Sequence, residues 1–433
     1  MMATCPTGYG YGSIPTGNNL FSIPAQISTK YPSVPNAMQG QFFSNCPCIS
    51  ALASLAWVNR QFIANNVTPN TTTNPATGAV TTNSYSIIFC DYGVNNSVQL
   101  PNNTALGTPI TVTVSPQVIL AGGAMSNNNG PYGAGSSNAN EIWPAIYERA
   151  YAKFLMYEYG LTRQGAAAPM SAANLTDITQ DPSFTDLWNL GNGPLRNYWG
   201  GNGAYALMYL TGLQCFTLNT SATSFPTSTT GGVTGNIGTA ANAASSATAA
   251  ASAIASGTPL ASMSGLYAYI ESGLCSEVTK VYGMYKTRYP VTATTYAQAA
   301  LSPNPGAVTY SNSTIVAGHN YSVLGVFDAP NGLHYIILRT TFGSNINYPN
   351  PTFGSVASGQ WSAPPNGTGL APYDAEFLMQ GGVVSGPQYP TSNRAPKLPM
   401  TFNFYPTTPN GIFALEQGAF INYFQSIGWA QGY

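Results

Sequence analysis

Two cysteines, Cys46 and Cys48, and two histidines, His319 and His334, are the side chains of this chain that are best suited to nucleophilic chemistry. The cysteines lie in "QGQFFSNCPCISALASLAWVNRQFI", where a polar loop changes into an apolar run with helical spacing. A cysteine in the first turn of a helix meets the positive end of the helix dipole, which favours thiolate over thiol. A thiolate beside an imidazole can attack a carbonyl carbon, since the imidazole takes and returns the proton. The pattern therefore indicates acyl transfer, provided that one histidine serves one cysteine.

The two cysteines cannot face one cleft, because two residues turn a helix by about 200°. Cys48 shares an apolar stripe with Leu52 and Leu55, which predicts a buried thiol that packs like a small hydrophobic side chain. Cys46 is therefore the predicted reactive thiol, and Asn45 is the predicted N-cap of the helix. An inert cysteine at a helix start remains the alternative, whereas a metal clip would need soft ligands that are not adjacent in the sequence.

The histidines belong to the two arms of one predicted hairpin, "HNYSVLGVF" and "LHYIILRTT", joined by "DAPNG". Pairing around this turn puts His319 opposite Thr340 or Thr341, and His334 about 20 Å further along the ladder. A threonine hydroxyl would orient the His319 ring, whereas His334 has apolar neighbours and is interpreted as a structural residue. His319 is the predicted general base.

Four segments must position these residues. They are an extended N-terminal arm (1–35), a helix-rich lobe with the cysteines (36–220), a low-complexity Ala/Ser/Thr/Gly linker (221–260) and a β-rich lobe with the histidines (261–433). Within them, periodicity and turn signals predict helices over 45–63, 140–160 and 263–285, strands between 65 and 135, and a final strand that runs into a helix in "GIFALEQGAFINYFQSIG".

Charged residues make up only 6 % of the chain and the net charge is −1. An ordinary domain has about 25 % charged residues. This composition argues against nucleic acid and anionic lipid as partners, and no apolar run is long enough to predict a membrane span. Glu141 and Lys153 are interpreted as part of an exposed helix face. Six cysteines in 433 residues are too few for a disulfide scaffold, although one or two bridges would fit.

Two features of the sequence give different indications of the compartment. A neutral, polar surface suits an extracellular or assembly-associated protein. The N-terminal stretch, however, has neither the basic nor the apolar region of a Sec-type signal peptide, so a cytoplasmic location is the alternative.

The chain resembles the catalytic core of calpain-type cysteine proteases. The resemblance is carried, in order across residues 39–425, by "QGQFFSNCPCISALASL", "EIWPAIYERAYAKF", "GAYALMYLTG", "AGHNYSVLGV", "IILRTTFG", "GQWS" and "NGIFALEQGAFINYF". It implies an α+β, papain-like fold with a helix-rich N-terminal lobe and a β-rich C-terminal lobe. It also implies that Cys46 is the nucleophile and His319 the base.

Two departures from the family pattern concern the groups around that pair. The asparagine that accepts the imidazole N–H falls on Thr340, and Thr341, Asn345 or Asn347 could substitute for it. The glutamine of the oxyanion hole is carried over to Gln39, with Gln41 as the second choice, and the Cys46 N–H would be the other donor.

The resemblance implies a cysteine endopeptidase that hydrolyses peptide or protein substrates through a Cys–His acyl-enzyme. No cofactor is expected, and the usual calcium switch is not expected either, because the acidic residues are few and scattered. The alternative is a catalytically impaired pseudo-peptidase that serves as a binding or self-assembling structural protein. Transfer to another acceptor, as in a transpeptidase or amidase, would use the same pair.

Overall fold

A computed structural model gives the fold of the chain. It describes residues 5–21, 37–38, 45–92, 107–125, 133–136, 141–191, 202–220, 265–281, 284–303, 305, 315–328, 334–341 and 412–431. These residues form a mixture of helices and antiparallel sheets, which confirms the α+β class at this coarse level. The chain divides into two compact units, one of residues 1–216 with 430–432, the other of residues 217–429 with 433. The predicted linker lies outside the described residues.

The first unit contains four helices and seven strands among its described residues. The helices are α1 (Cys46–Asn65), α2 (Trp143–Glu158), α3 (Phe184–Gly191) and α4 (Gly203–Thr211). The strands are β1 (Tyr9–Ser13), β2 (Ala37–Met38), β3 (Val67–Thr73), β4 (Val80–Asp91), β5 (Thr108–Val114), β6 (Gln117–Ala121) and β7 (Gly135–Ser136). They form a three-stranded sheet in the order β3-β4-β5 and two pairs, β1-β6 and β2-β7.

Helix α2 is the centre of the first unit, because all of its residues are buried. Pro144 stands in its first turn, where the missing N–H costs nothing, and Gly160 follows its end with a φ of 60°. The N–H of Trp143 donates to Leu20 O at 3.0 Å, so the N-terminal arm satisfies one of the open donors at the helix start. The helix predicted over 140–160 is thus confirmed, and it ends at Glu158, two residues before Gly160.

The prediction of an exposed face on this segment is wrong. Glu141, just before α2, and Lys153, on α2, are both 0 % exposed. The Lys153 ammonium donates to Thr113 O and Asp177 O at 2.8 Å and to Asp181 Oδ1 at 3.0 Å. A buried cation is tolerated here because each of its three protons has an acceptor.

The second unit is built on one sheet. Its further strands are β8 (Gln214–Asn219, which enters from the first unit), β9 (Cys275–Val281), β10 (Met284–Thr295), β11 (Asn320–Asp328), β12 (His334–Thr340), β13 (Ile412–Glu416) and β14 (Phe424–Gln431). The order is β13-β12-β11-β10-β14-β8, with β9 also paired to β10. Helices α5 (Gly265–Tyr269) and α6 (Gln417–Tyr423) accompany the sheet.

Two predictions for the second unit have different outcomes. The hairpin of β11 and β12 is confirmed, with Asp328 paired to His334 at its turn end and Tyr321 paired to Thr340 near its other end. The helix predicted over 263–285 is wrong beyond Leu274. A π-helical turn ends there, and the segment "CSEVTKV" then pairs with β10 as strand β9. Its three β-branched residues, Val278, Thr279 and Val281, favour the strand.

No helix within the described ranges is long and apolar enough to cross a bilayer.

Candidate active site

The predicted nucleophile lies at the first residue of α1. Cys46 is 5 % exposed and Cys48 is 0 % exposed. Pro47 occupies the first turn between them, and the N–H of Ile49 donates to Asn45 O at 3.1 Å to begin the helical ladder. Cys46 therefore meets the open N–H groups and the positive dipole end of α1.

Cys48 has the properties of a packed core thiol. Its pKa is raised well above the usual value, first by burial and then by the nearby charge of Glu148. A thiol with a raised pKa stays protonated at neutral pH and is a poor nucleophile. This agrees with the interpretation of Cys48 as a filler of the apolar stripe, in which Leu52 and Leu55 are also fully buried.

Asn45 stands at the N-cap position, but its side chain does not cap the helix. Its Nδ2 instead donates to the Glu148 carboxyl on α2, a contact between residues 103 positions apart in the chain. The prediction of Asn45 as the N-cap residue is confirmed in position. Its side chain makes no capping bond, because its amide binds the buried Glu148 carboxyl instead. Sequence reasoning missed Glu148, although a charged residue inside a helix that is buried on all sides must have partners.

The predicted base, His319, directly precedes β11 in the second unit. Thr295 on β10 fixes its main chain, because the His319 N–H donates to Thr295 Oγ1 at 2.8 Å and the Thr295 N–H donates to His319 O at 2.9 Å. The ring meets the edge of Tyr321, with 5.2 Å between ring centroids and 84° between ring planes. The imidazole is thus held from two sides.

The hydroxyl of Thr341 lies 2.8 Å from His319 Nε2. Thr340 was the predicted partner of the imidazole, with Thr341 as a possible substitute. In the structure, Thr341 makes this contact. The register explains the difference: Thr340 pairs with Tyr321, and one further step brings Thr341 level with Asn320, next to His319. Thr340 itself is buried, with 3 % of its surface exposed.

Burial sets the protonation state of His319. The residue is 5 % exposed, and desolvation lowers its pKa to about 3. The imidazole is therefore neutral at pH 7 and, at this pKa, a weak base. A thiolate within about 6 Å would raise this pKa, because opposite charge favours the protonated ring.

His334 fits its interpretation as a structural residue. It is 9 % exposed and its ring lies against Tyr267, with 4.8 Å between centroids. It opens β12 opposite Asp328, at the other end of the hairpin from Thr341.

The other predicted site residues lie outside the described residues, namely Gln39, Gln41, Asn345 and Asn347. Within the described ranges, no group of three or more His, Cys, Asp or Glu side chains is arranged to hold a metal ion. All six cysteines are free thiols.

The chain matches no model of a known protein family, and a search of curated proteins finds no match. What the molecule does must therefore be inferred from its own residues.

Proposed function

We propose that this chain is a cysteine endopeptidase with a papain-like, calpain-like fold. The observation that carries the proposal is the bond between His319 Nε2 and Thr341 Oγ1, at 2.8 Å. An imidazole whose one nitrogen is held by a hydroxyl has a fixed ring orientation, and its Nδ1 then exchanges the proton. The start of α1 adds a cysteine at a helix N-terminus, and the resemblance to calpain-type proteases relates the two residues to each other.

In the proposed reaction, the Cys46 sulfur attacks the scissile carbonyl carbon while His319 takes the thiol proton. The Cys46 N–H, together with Gln39, stabilises the oxyanion. His319 then gives the proton to the leaving amine, and a water that His319 deprotonates hydrolyses the thioester. Thr341 keeps the ring in place through both steps. No cofactor and no calcium switch take part.

The test is the alkylation rate of Cys46 in the folded protein. Limiting iodoacetamide is applied between pH 4 and 9, and the labelled cysteines are identified by peptide mapping. We expect Cys46 to react below pH 7 faster than a free thiol of pKa about 8.5. His319→Ala should slow this reaction about tenfold or more, because a neighbouring imidazolium lowers a thiol pKa by at least one unit.

His334→Ala is the matched control, since it removes the other buried histidine of the same hairpin. It should leave the Cys46 rate unchanged. If Cys46 in the wild type reacts no faster than an ordinary thiol at any pH, the chain has no reactive pair and the proposal is wrong.

A second candidate function, a self-assembling structural protein, is favoured by one feature of the first unit. Strands β3 and β4 extend beyond the sheet as a two-stranded ribbon (68–83), because β5 pairs only with the part of β4 from Tyr85 onwards. Residues 68–81 are all exposed, and the ribbon contains no charged residue. Natural edge strands are usually protected against pairing by charge, and an isolated ribbon is marginally stable. A second copy of the ribbon is a suitable partner for this edge.

Charge on the ribbon should weaken such assembly. We expect Val80→Lys with Thr81→Lys to lower the apparent association constant about tenfold or more, because like charges would face each other between copies. Sedimentation velocity over a concentration series measures it. Ala167→Lys with Ala168→Lys adds the same charge at exposed positions outside the ribbon and should have little effect. Equal effects of the two pairs, or a monomer at every concentration, would exclude assembly through the ribbon.

A further inference from the structure

One buried carboxyl lies against the start of the proposed nucleophile helix and has no part in the reaction described above. Glu148, on α2, is 1 % exposed. One of its oxygens accepts from Asn45 Nδ2, and the other accepts from the N–H of Ala134 at 2.8 Å. The carboxyl thus joins α2 to the residue before Cys46 and to the segment that contains β7.

The surroundings of the carboxyl are closely packed. A Cβ atom at Gly133 would collide with a Glu148 oxygen, and it would lie 2.8 Å from Ile119 Cδ1. Only glycine allows the main chain to approach this closely, so the N–H of Ala134 reaches the carboxyl. Asn45 Oδ1 has no hydrogen-bond partner among the described residues. The Asn45 amide is therefore held by Glu148.

Within the part of the chain that the structure describes, no basic side chain contributes to the pKa shift of Glu148. Burial raises its pKa to about 8, although the bonds from Ala134 and Asn45 act in the opposite direction. The titratable groups that it influences are Cys48 on α1 and Tyr11 on β1, and its charge raises the pKa of both. The carboxyl is therefore mostly protonated at neutral pH and becomes a buried anion above about pH 8.

We propose that Glu148 is a positioning residue that holds Asn45, and with it the Cys46 thiol and N–H, and that ionisation of Glu148 lowers the reactivity of Cys46. This inference rests on the proposed role of Cys46 as the nucleophile. While the carboxyl is neutral, the dipole of α1 acts on the thiol without opposition. Once it is ionised, a negative charge with little screening opposes the formation of a thiolate.

Glu148→Gln distinguishes the effect of holding Asn45 in place from the effect of the carboxylate charge. Its Oε1 can accept the Ala134 N–H and its Nε2 can donate to Asn45 Oδ1, so the contacts persist without an ionisable group. The control is Glu158→Gln, which removes the other buried carboxyl of α2, whose pKa burial also raises to about 8. Glu148→Leu removes both contacts.

The readouts are the Cys46 alkylation rate between pH 5 and 10 and the melting temperature over the same range. In the wild type we expect the rate to level off above about pH 8. Glu148→Gln should match the wild-type rate near pH 6 and exceed it at pH 9 by about twofold at most, because a one-unit rise of a thiol pKa that lies below 8 removes about half of the thiolate or less. Glu148→Leu should react about tenfold more slowly at pH 6, and Glu158→Gln should follow the wild type.

The melting temperature provides a second signature with a fixed sign. Because the pKa of Glu148 is higher in the folded than in the unfolded chain, its stabilising contribution is full below about pH 4.5 and is lost progressively as the pH rises from there through about 8. Glu148→Gln should reduce this loss. If Glu148→Leu does not fold, the alkylation profile and melting temperatures of Glu148→Gln alone test the proposal.

The possible outcomes separate this inference from the proposed function. A Glu148→Gln rate profile that coincides with that of the wild type, or that Glu158→Gln reproduces, overturns the positioning role. A Cys46 rate that depends on Glu148 but not on His319 supports the positioning role and contradicts the peptidase.

Discussion

Peptide hydrolysis by Cys46→Ala is expected to fall about 10⁴-fold or more below the wild type, whereas Cys48→Ala should retain most of the activity. Without the covalent nucleophile, only substrate binding and the oxyanion donors remain, and these account for a small part of the rate enhancement. Cys48, in contrast, lies fully buried on the apolar stripe of α1, where burial raises the pKa of its thiol. The initial rate of cleavage of fluorescently labelled casein measures the effect.

The Cys48→Ala control also reports on packing. The loss of a fully buried sulfur should lower the free energy of unfolding by about 1–2 kcal/mol, because a small cavity remains. If Cys46→Ala and Cys48→Ala both fold and lose cleavage activity equally, Cys46 has no special role as the nucleophile. Full activity of folded Cys46→Ala would remove this residue from the reaction.

Asp181→Ala is expected to lower the free energy of unfolding by about 3–5 kcal/mol, because it leaves two buried cations without their carboxylate. Asp181 lies 3.0 Å from the Lys153 ammonium and 3.5 Å from Arg149 Nη1. It also accepts the Ser115 N–H at 2.7 Å. Burial already lowers the pKa of Lys153, and Asp181 acts against this shift, so the variant should shift the pKa further down.

Urea unfolding monitored by circular dichroism tests this expectation. Asp177→Ala is the matched control: its carboxylate is exposed, and the Lys153 contact uses its main-chain oxygen, which alanine keeps. It should cause a much smaller loss. Equal losses in the two variants would mean that the buried charge network does not stabilise the first unit.

The sequence predicted local structure well where adjacent residues determine it. Proline in the first turn and glycine after the last turn define α2, and the turn residues "DAPNG" define the hairpin that carries His319. The same hairpin restricted the partner of the imidazole to two neighbouring threonines. The choice between the two threonines depended on the residue at which strand β12 ends. The periodicity of a sequence does not predict the end of a strand to a precision of one residue.

Contacts between distant residues were not predictable in the same way. Asn45 is the N-cap residue of α1, as predicted, but nothing in the sequence indicated that its amide binds a carboxyl 103 residues away instead of capping the helix. The exposed face predicted for Lys153 failed because Asp181, 28 residues further on, lies in the interior beside it. A charged residue on a helix is normally exposed to solvent. Only the tertiary structure shows when such a residue is buried beside a partner of opposite charge.

The burial of charged side chains has a consequence for the behaviour of the protein in solution. The chain has twelve basic and thirteen acidic residues, and eight of those that the structure describes are buried. They are Glu141, Glu148, Arg149, Lys153, Glu158, Asp181, Asp186 and Arg339. The solvated charge is thus even smaller than the composition suggests. Sodium chloride has little to screen on such a molecule, whereas sulfate, which acts by exclusion from the surface, will drive copies together or out of solution.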